Sequence, residues 1–188
     1  MKIGILGGTF NPIHIGHLIL AEEAREKLKL DKIIFVPAYL PPHKENSEIM
    51  DARHRYRMVK LAIKTNRYFL VSGIEIKRDG RSYTIDTLKE FKKIYPGDEL
   101  YFIIGSDLLK YLEDWKDLDE IIKMVKFIAA TRPGYPLEKI PVYIATIPIR
   151  AVDISGFEIR KAISENKSFR YLVPEAVFNY INKCKLYR

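Results

Sequence analysis

Six short runs of β-branched and aromatic residues recur along the chain: Ile3–Leu6, Ile33–Val36, Phe69–Ser72, Leu100–Ile104, Phe127–Ala130 and Val142–Ala145. They lack polar alternation, the mark of strands covered on both faces, as in a parallel sheet. Helix-like segments lie between them. Leu18, Ala21, Ala24, Arg25 and Leu28 put a largely apolar stripe on a helix from about His17 to Lys29. Met58, Leu61 and Ala62 do the same after the candidate N-cap Asp51. Ile85, Leu88 and Phe91 mark a third helix, opened by Thr84 or Asp86, and Leu118, Ile121, Ile122 and Val125 a fourth. Such alternation predicts an α/β fold with a Rossmann-like, doubly wound parallel sheet. After it, Ile159–Ser164 and Pro174–Cys184 predict a small C-terminal helical piece, with Pro174 in a first helical turn. The whole chain, 1–188, reads as one domain.

Composition narrows the class. Hydrophobic residues make up 47% and charged residues 30%, the balance of a folded globular chain. No apolar run approaches the ~20 residues a membrane-spanning helix needs, and the N-terminus lacks a signal peptide's pattern. The single cysteine, Cys184, excludes an internal disulfide and a multi-thiolate metal site, so a cytoplasmic protein is expected. The net charge of +8 suits anionic partners: nucleic acid, lipid or small phosphorylated substrates. Lys and Arg are spread along the chain rather than gathered in an arm, which disfavours a nucleic-acid tail.

The first chemical signal is Gly7-Gly8-Thr9-Phe10-Asn11-Pro12-Ile13-His14-Ile15-Gly16-His17, between a predicted strand and a predicted helix. An open α/β sheet binds its ligand at such a junction. The glycines let backbone approach a phosphate, and the following helix N-terminus favours an anion. His14 and His17, three apart, point the same way on a helical turn. They can donate hydrogen bonds to phosphate oxygens that gain charge in a transition state. A metal site is the weaker reading, because only His43 and His54 remain as further histidines. Neither a Gly-x-Gly-x-x-Gly fingerprint nor a Gly-Lys-Ser/Thr loop is present.

This segment resembles the nucleotide-binding motif of the adenylyl- and cytidylyltransferase superfamily. The resemblance implies that His17 stabilises the attacked α-phosphate, that His14 assists, and that Gly7, Gly8, Thr9 and Phe10 line the phosphate site. Where the superfamily usually has Asp, this chain has Asn11. A second set, Asp153-Ile154-Ser155-Gly156-Phe157-Glu158-Ile159-Arg160, looks like a helix start with Ser155 as N-cap and Arg160 offering fork-shaped donors. It resembles the superfamily's Ile-Ser-Ser-Thr-x-Ile-Arg motif for the β- and γ-phosphates, with Gly156 and Phe157 in place of two hydroxyl residues.

Three further stretches resemble the bacterial nicotinate-nucleotide adenylyltransferases: Pro41-Pro42-His43-Lys44, Ser82-Tyr83-Thr84-Ile85-Asp86-Thr87-Leu88, and Ile104-Gly105-Ser106-Asp107 followed by Trp115. This resemblance implies transfer of AMP from ATP to nicotinic acid mononucleotide, with Mg²⁺ carried by ATP and no metal site of the protein's own. It implies that Trp115 stacks on the pyridinium ring and that backbone N–H groups around Tyr83 and Thr84 take the nicotinate carboxylate. It places Lys44 and Arg132 on the acceptor phosphate, and Gly105 and Asp107 near the adenosine. A core aromatic is the plainer reading of Trp115, and a helix N-cap is as good a reading of Asp107 as ribose binding. The partners are then small molecules, with no nucleic acid and no membrane, and with room for a homo-oligomer. Three rivals stand beside this reading: an enzyme acting on phosphopantetheine, a tRNA-ligating enzyme sharing His14-Ile15-Gly16-His17, and a non-catalytic nucleotide or nucleic-acid binder. The second lacks a Lys-Met-Ser-Lys-Ser loop and the length for tRNA-binding domains.

Overall fold

The apolar runs pair into a six-stranded, wholly parallel sheet, in order β3-β2-β1-β4-β5-β6. The computed structural model describes residues 1–42, 49–131, 140–150 and 152–188, and for Asp107 the backbone. The strands are β1 (Lys2–Gly8), β2 (Lys32–Pro37), β3 (Phe69–Val71), β4 (Glu99–Gly105), β5 (Lys126–Thr131) and β6 (Ile144–Pro148). The helices are α1 (Ile15–Leu28), α2 (Ala52–Ala62), α3 (Ile74–Arg78), α4 (Thr84–Ile94), α5 (Leu118–Met124), α6 (Gly156–Ser164) and α7 (Glu175–Cys184). A 3₁₀ segment, Ser106–Asp114, follows β4.

The period-2 geometry of a strand sorts each run into two cores. Leu6, Ile33, Phe35, Tyr101 and Ile103 face the side covered by α1, α2, α6 and α7. Ile3, Ile5, Ile34, Val36, Leu100 and Phe102 face the side covered by α4, α5 and the 3₁₀ segment. The C-terminal piece belongs to the first core, where Ile159, Ile163, Val177 and Ile181 are buried.

Five predicted strands match within two residues, and the sixth moves. Val142 is fully exposed, and the Ile144 N–H turns back to the Pro141 carbonyl (2.9 Å), so β6 starts only at Ile144. The first helix begins at Ile15, ahead of His17. Asp51 caps α2 as expected, accepting from the Arg53 N–H at 2.7 Å. Pro174 stands one residue before α7 as its N-cap rather than inside its first turn. The short α3 and the 3₁₀ segment are elements the sequence reading does not pick out, although Leu108, Leu109 and Leu112 give the latter an apolar face.

Candidate functional site

Strand order reverses between β1 and β4, which lie side by side although α1, β2, β3 and their helices intervene in sequence. Ligands of open α/β sheets bind in the crevice past the carboxyl ends of such strands. There Gly7 and Gly8 end β1 and Gly105 ends β4. A cavity of about 610 Å³ opens at this place, walled among others by Gly7, Gly8, Thr9, Thr84, Phe102 and Trp115.

The loop from β1 to α1 is shaped by its own residues. Phe10 takes a left-handed φ of 47°, a costly conformation for a side chain of its size. Burial holds it there: its ring packs edge-on to His17 (5.0 Å) and against Phe35 (5.9 Å). Gly8 makes room, since a Cβ there would stand 3.1 Å from the Phe10 ring. The Asn11–Pro12 peptide is cis. The chain then delivers His14 as the N-cap residue of α1 and His17 on its first turn, with ring centroids 3.7 Å apart.

The backbone N–H of His14 donates to Nδ1 of His17 (3.2 Å). An imidazole nitrogen that accepts carries no proton, so the proton of neutral His17 sits on Nε2. His17 thereby becomes a fixed donor at the start of a helix that has no acidic residue in its first turn. The helix dipole adds its positive end at the same point.

The second motif lands on the first. Ser155 caps α6: the Glu158 N–H donates to Ser155 Oγ (3.2 Å), and the Ser155 hydroxyl donates to Glu158 Oε2 (2.9 Å). Arg160 Nη1 donates to the Asn11 carbonyl at 2.7 Å. Gly156 abuts the same carbonyl, and a Cβ on it would lie 2.9 Å from that oxygen. Gly156 is thus a point of close approach between α6 and the phosphate loop. Phe157 is exposed, with the Arg160 guanidinium 5.9 Å from its ring. Asn11 also accepts on Oδ1 from the Tyr187 hydroxyl (2.9 Å) and the Met50 N–H (3.3 Å). Burial pushes the Tyr187 phenol well above its ordinary range, so it stays a donor.

On the acceptor side, Trp115 is half-buried. It packs edge-on to Phe102 (5.8 Å) and tilted to Phe127 (6.1 Å), and it also walls the cavity. Its core role and its availability to a ligand are therefore combined. Tyr83 precedes α4 and Thr84 opens it. Only part of the expected donor set is as the sequence suggested: the Tyr83 N–H is turned to the Arg81 carbonyl (3.2 Å). The donors on this side are the first N–H groups of α4, beginning with Thr84, which have no acceptor within their own helix. Gly105, not Asp107, is the N-cap of the 3₁₀ segment, and Asp107 lies inside it. Lys44 and Arg132 lie outside the described residues, as does the side chain of Asp107.

Two residues of the site were missed in the sequence. Arg55 is 1% exposed and, among the described residues, donates only to carbonyls: Met50 (2.7 Å), Thr9 (2.8 Å), Ala38 (2.6 Å) and Tyr39 (2.7 Å). It staples the phosphate loop to the segment after β2 and to the approach to α2. Its helical spacing with Ala52, Met58 and Val59 was the available signal, since it puts Arg55 on the buried face. Glu75 on α3 is also buried and walls the cavity. It accepts from the Thr87 hydroxyl (2.6 Å), and nearby Ser82 Oγ accepts from the Tyr39 N–H (2.9 Å). Burial raises the Glu75 carboxyl above its usual range, against the hydrogen bonds from Thr87 and Ser82. Among the described residues, no three His, Cys, Asp or Glu side chains gather as a metal site.

A helix N-terminus bearing two imidazoles at the switch point of a parallel sheet, joined by a second capped helix with an arginine, is the apparatus of a nucleotidyl-transfer site. Comparison with known proteins agrees. The sequence model of the Cytidylyltransferase-like family matches residues 5–162. The chain is 47% identical to the "Probable nicotinate-nucleotide adenylyltransferase" of Thermoanaerobacter sp. (strain X514), covering all of this chain and 95% of the relative. It is 44% identical, over the full length of both chains, to a protein of the same name from Thermus thermophilus. Among solved structures, Plasmodium falciparum nicotinic acid mononucleotide adenylyltransferase complexed with NaAD shares the fold, with a TM-score of 0.80 and 22% identity over 99% of this chain and 97% of that one. The chain belongs to the cytidylyltransferase-like family and, within it, to the nicotinate-nucleotide adenylyltransferases. No helix of the described residues is long and apolar enough to cross a membrane.

Proposed function

We infer that the chain transfers AMP from ATP to nicotinic acid mononucleotide, giving nicotinic acid adenine dinucleotide and pyrophosphate, a step of NAD biosynthesis. The observation that carries this is the His14 N–H bond into His17 Nδ1 at the phosphate-binding turn. The curated relatives' names and the NaAD complex of the Plasmodium enzyme support the choice of acceptor. The acceptor's 5′-phosphate oxygen attacks the α-phosphorus in line. It is already an anion, so no general base is required, and catalysis is positioning and charge neutralisation.

Nε2–H of His17 donates to an α-phosphate oxygen as charge builds, with His14 packed beside it. Gly7, Gly8, Thr9 and Phe10 shape the phosphate loop. The capped start of α6 at Ser155, with Arg160, faces the leaving pyrophosphate. An arginine has five donors and the bond to Asn11 uses one. Mg²⁺ would enter as part of the substrate, carried by ATP, and would supply charge neutralisation there. Trp115 carries the pyridinium ring, the start of α4 at Thr84 takes the carboxylate, and Lys44 and Arg132 hold the acceptor phosphate. Gly105 and Asp107 lie toward the adenosine. The enzyme works in the cytoplasm on small molecules, without nucleic acid.

The test is product identification. Protein, ATP, Mg²⁺ and nicotinic acid mononucleotide should give the dinucleotide and pyrophosphate in equal amounts. No α-phosphate label should remain on the protein. Pyrophosphate release with phosphopantetheine alone would keep the transfer and overturn the acceptor, and label trapped on the chain would overturn the direct displacement.

A further inference from the structure

Nicotinate and nicotinamide mononucleotide differ by one atom group and one unit of charge. Backbone N–H groups at the start of α4 separate them incompletely, because the amide's carbonyl oxygen accepts such a bond as well as a carboxylate oxygen does. A positive charge nearby adds to that discrimination, because it sees the carboxylate's extra negative charge, which the amide lacks. The walls of the site supply few candidates. A second cavity of about 160 Å³ adjoins the first, walled among others by Tyr83, Thr84, Tyr111, Trp115 and Lys116. Among the described residues lining the two cavities, Lys116 is the only cationic side chain. Its ammonium stands 4.9 Å from the centroid of the Tyr83 ring, directly before the first turn of α4.

Lys116 also follows Trp115 in the chain, so the residue proposed to carry the ring and the charge beside it are set by one short backbone segment. Two acidic side chains, Glu75 and Asp114, line the large cavity, and Asp86 lies in the first turn of α4. These acidic groups make a cation beside the ring substituent count in the balance between a carboxylate and the neutral amide.

We propose that Lys116, held over the Tyr83 ring at the mouth of α4, is a specificity-determining residue that selects an acceptor bearing a ring carboxylate over its carboxamide. The inference rests on the adenylyl-transfer reading above. Lys116 takes no part in the chemical step; it biases which acceptor occupies the pocket. Its charge is exposed to solvent and screened by salt, so the expected effect is about 3- to 10-fold rather than orders of magnitude.

The experiment compares kcat/KM for nicotinic acid mononucleotide and nicotinamide mononucleotide, with MgATP, in wild type, Lys116→Arg, Lys116→Ala and Lys116→Glu at low and high salt. The expected result is that the nicotinate-to-nicotinamide ratio falls about 3- to 10-fold in Lys116→Ala and further in Lys116→Glu. Lys116→Arg should retain it. The change should sit in the KM for the nicotinate acceptor, with kcat and the KM for ATP unmoved, and added salt should shrink the gap between wild type and Lys116→Ala. An unchanged ratio in both Lys116→Ala and Lys116→Glu, while transfer proceeds, would overturn the inference and leave the enzyme's function standing. An equal loss for both acceptors would also overturn it, because that marks positioning rather than selection. Wild type that transfers AMP to neither acceptor would overturn the underlying reading itself.

Discussion

On the triphosphate side of the crevice, one continuous stretch from Gly7 to His17 supplies the glycines, the turn and both imidazoles, and its own backbone sets the proton on His17. On the acceptor side, Trp115, the Ser82–Thr84 stretch and Glu75 come from three separate segments; the Thr87 hydroxyl bond to Glu75 and the Tyr39 N–H bond to Ser82 Oγ tie the last two into the wall. The first arrangement fixes geometry locally, and little outside it is needed to aim the donor at a phosphate. The second depends on how three segments are held together, so single changes there can retune the substrate without disturbing the chemistry. Arg55 lies at the seam, tied at once to Thr9 on one side and to Ala38 and Tyr39 on the other.

Short of removing a reacting-side imidazole, the largest effect is expected from Arg55→Met. It leaves four carbonyls, one buried and three part-buried, without their donor, at about 1–3 kcal/mol for each that finds no water. A loss of more than about 3 kcal/mol by urea unfolding, with the KM values for both substrates raised together, is the expected outcome. A variant that loses only acceptor affinity would show that the two sides are less joined than the structure indicates.

Trp115→Ala sharpens the contrast from the acceptor side. Loss of a stacking platform is worth about 1–3 kcal/mol, so kcat/KM for the acceptor should drop about 5- to 150-fold, with ATP binding little changed. Titration calorimetry with a non-hydrolysable ATP analogue checks the second half. Weakened ATP binding would place Trp115 in the wrong half of the site.

Gly156→Ser tests a departure from the superfamily pattern. The added Cβ meets a backbone carbonyl at 2.9 Å, so α6 must shift, for about 1–3 kcal/mol of stability. The shift should also loosen the Arg160–Asn11 bond and raise the KM for ATP, while leaving the acceptor's KM alone. If the serine tightened ATP binding instead, the missing hydroxyl would matter more than the close approach.

The fold was readable because parallel strands and amphipathic helices write their burial into short periodic runs, and β1, β2, β4 and β5 emerged nearly at their observed bounds. The phosphate loop was readable for a related reason: its residues are neighbours in sequence. Arg55 and Glu75 were not, because an arginine or glutamate in a polar segment reads as solvated until distant carbonyls and hydroxyls close around it. The acceptor of the Tyr83 N–H was not legible either, since it depends on how the chain turns at Arg81. The shift of β6 follows from a turn at Pro141 that the apolar run Val142–Ala145 conceals.

The smallest expected effect lies at the side of α1 remote from the phosphates. Glu23 is buried, and hydrogen bonds from Arg150 and then Lys27 hold its carboxyl down to about 2 from an ordinary 4.5. A depressed carboxyl contributes stability above its unfolded pKa and loses it as pH falls through the folded one. Wild type should therefore melt higher than Glu23→Gln at neutral pH, and the two should converge between about pH 4.5 and pH 2. Activity at neutral pH should be the same for both. A selective loss of kcat would mean that this anchor reaches the imidazoles.

The central claim is that His17 acts on the transition state and not on substrate binding. Single-turnover AMP transfer by His17→Ala, with MgATP and nicotinic acid mononucleotide saturating, tests it most directly. The account predicts dissociation constants within a few-fold of wild type and a chemical step slowed by about 10²- to 10³-fold, the usual cost of one preorganised donor. A chemical step that runs at the wild-type rate, with the loss confined to ATP binding, would contradict it.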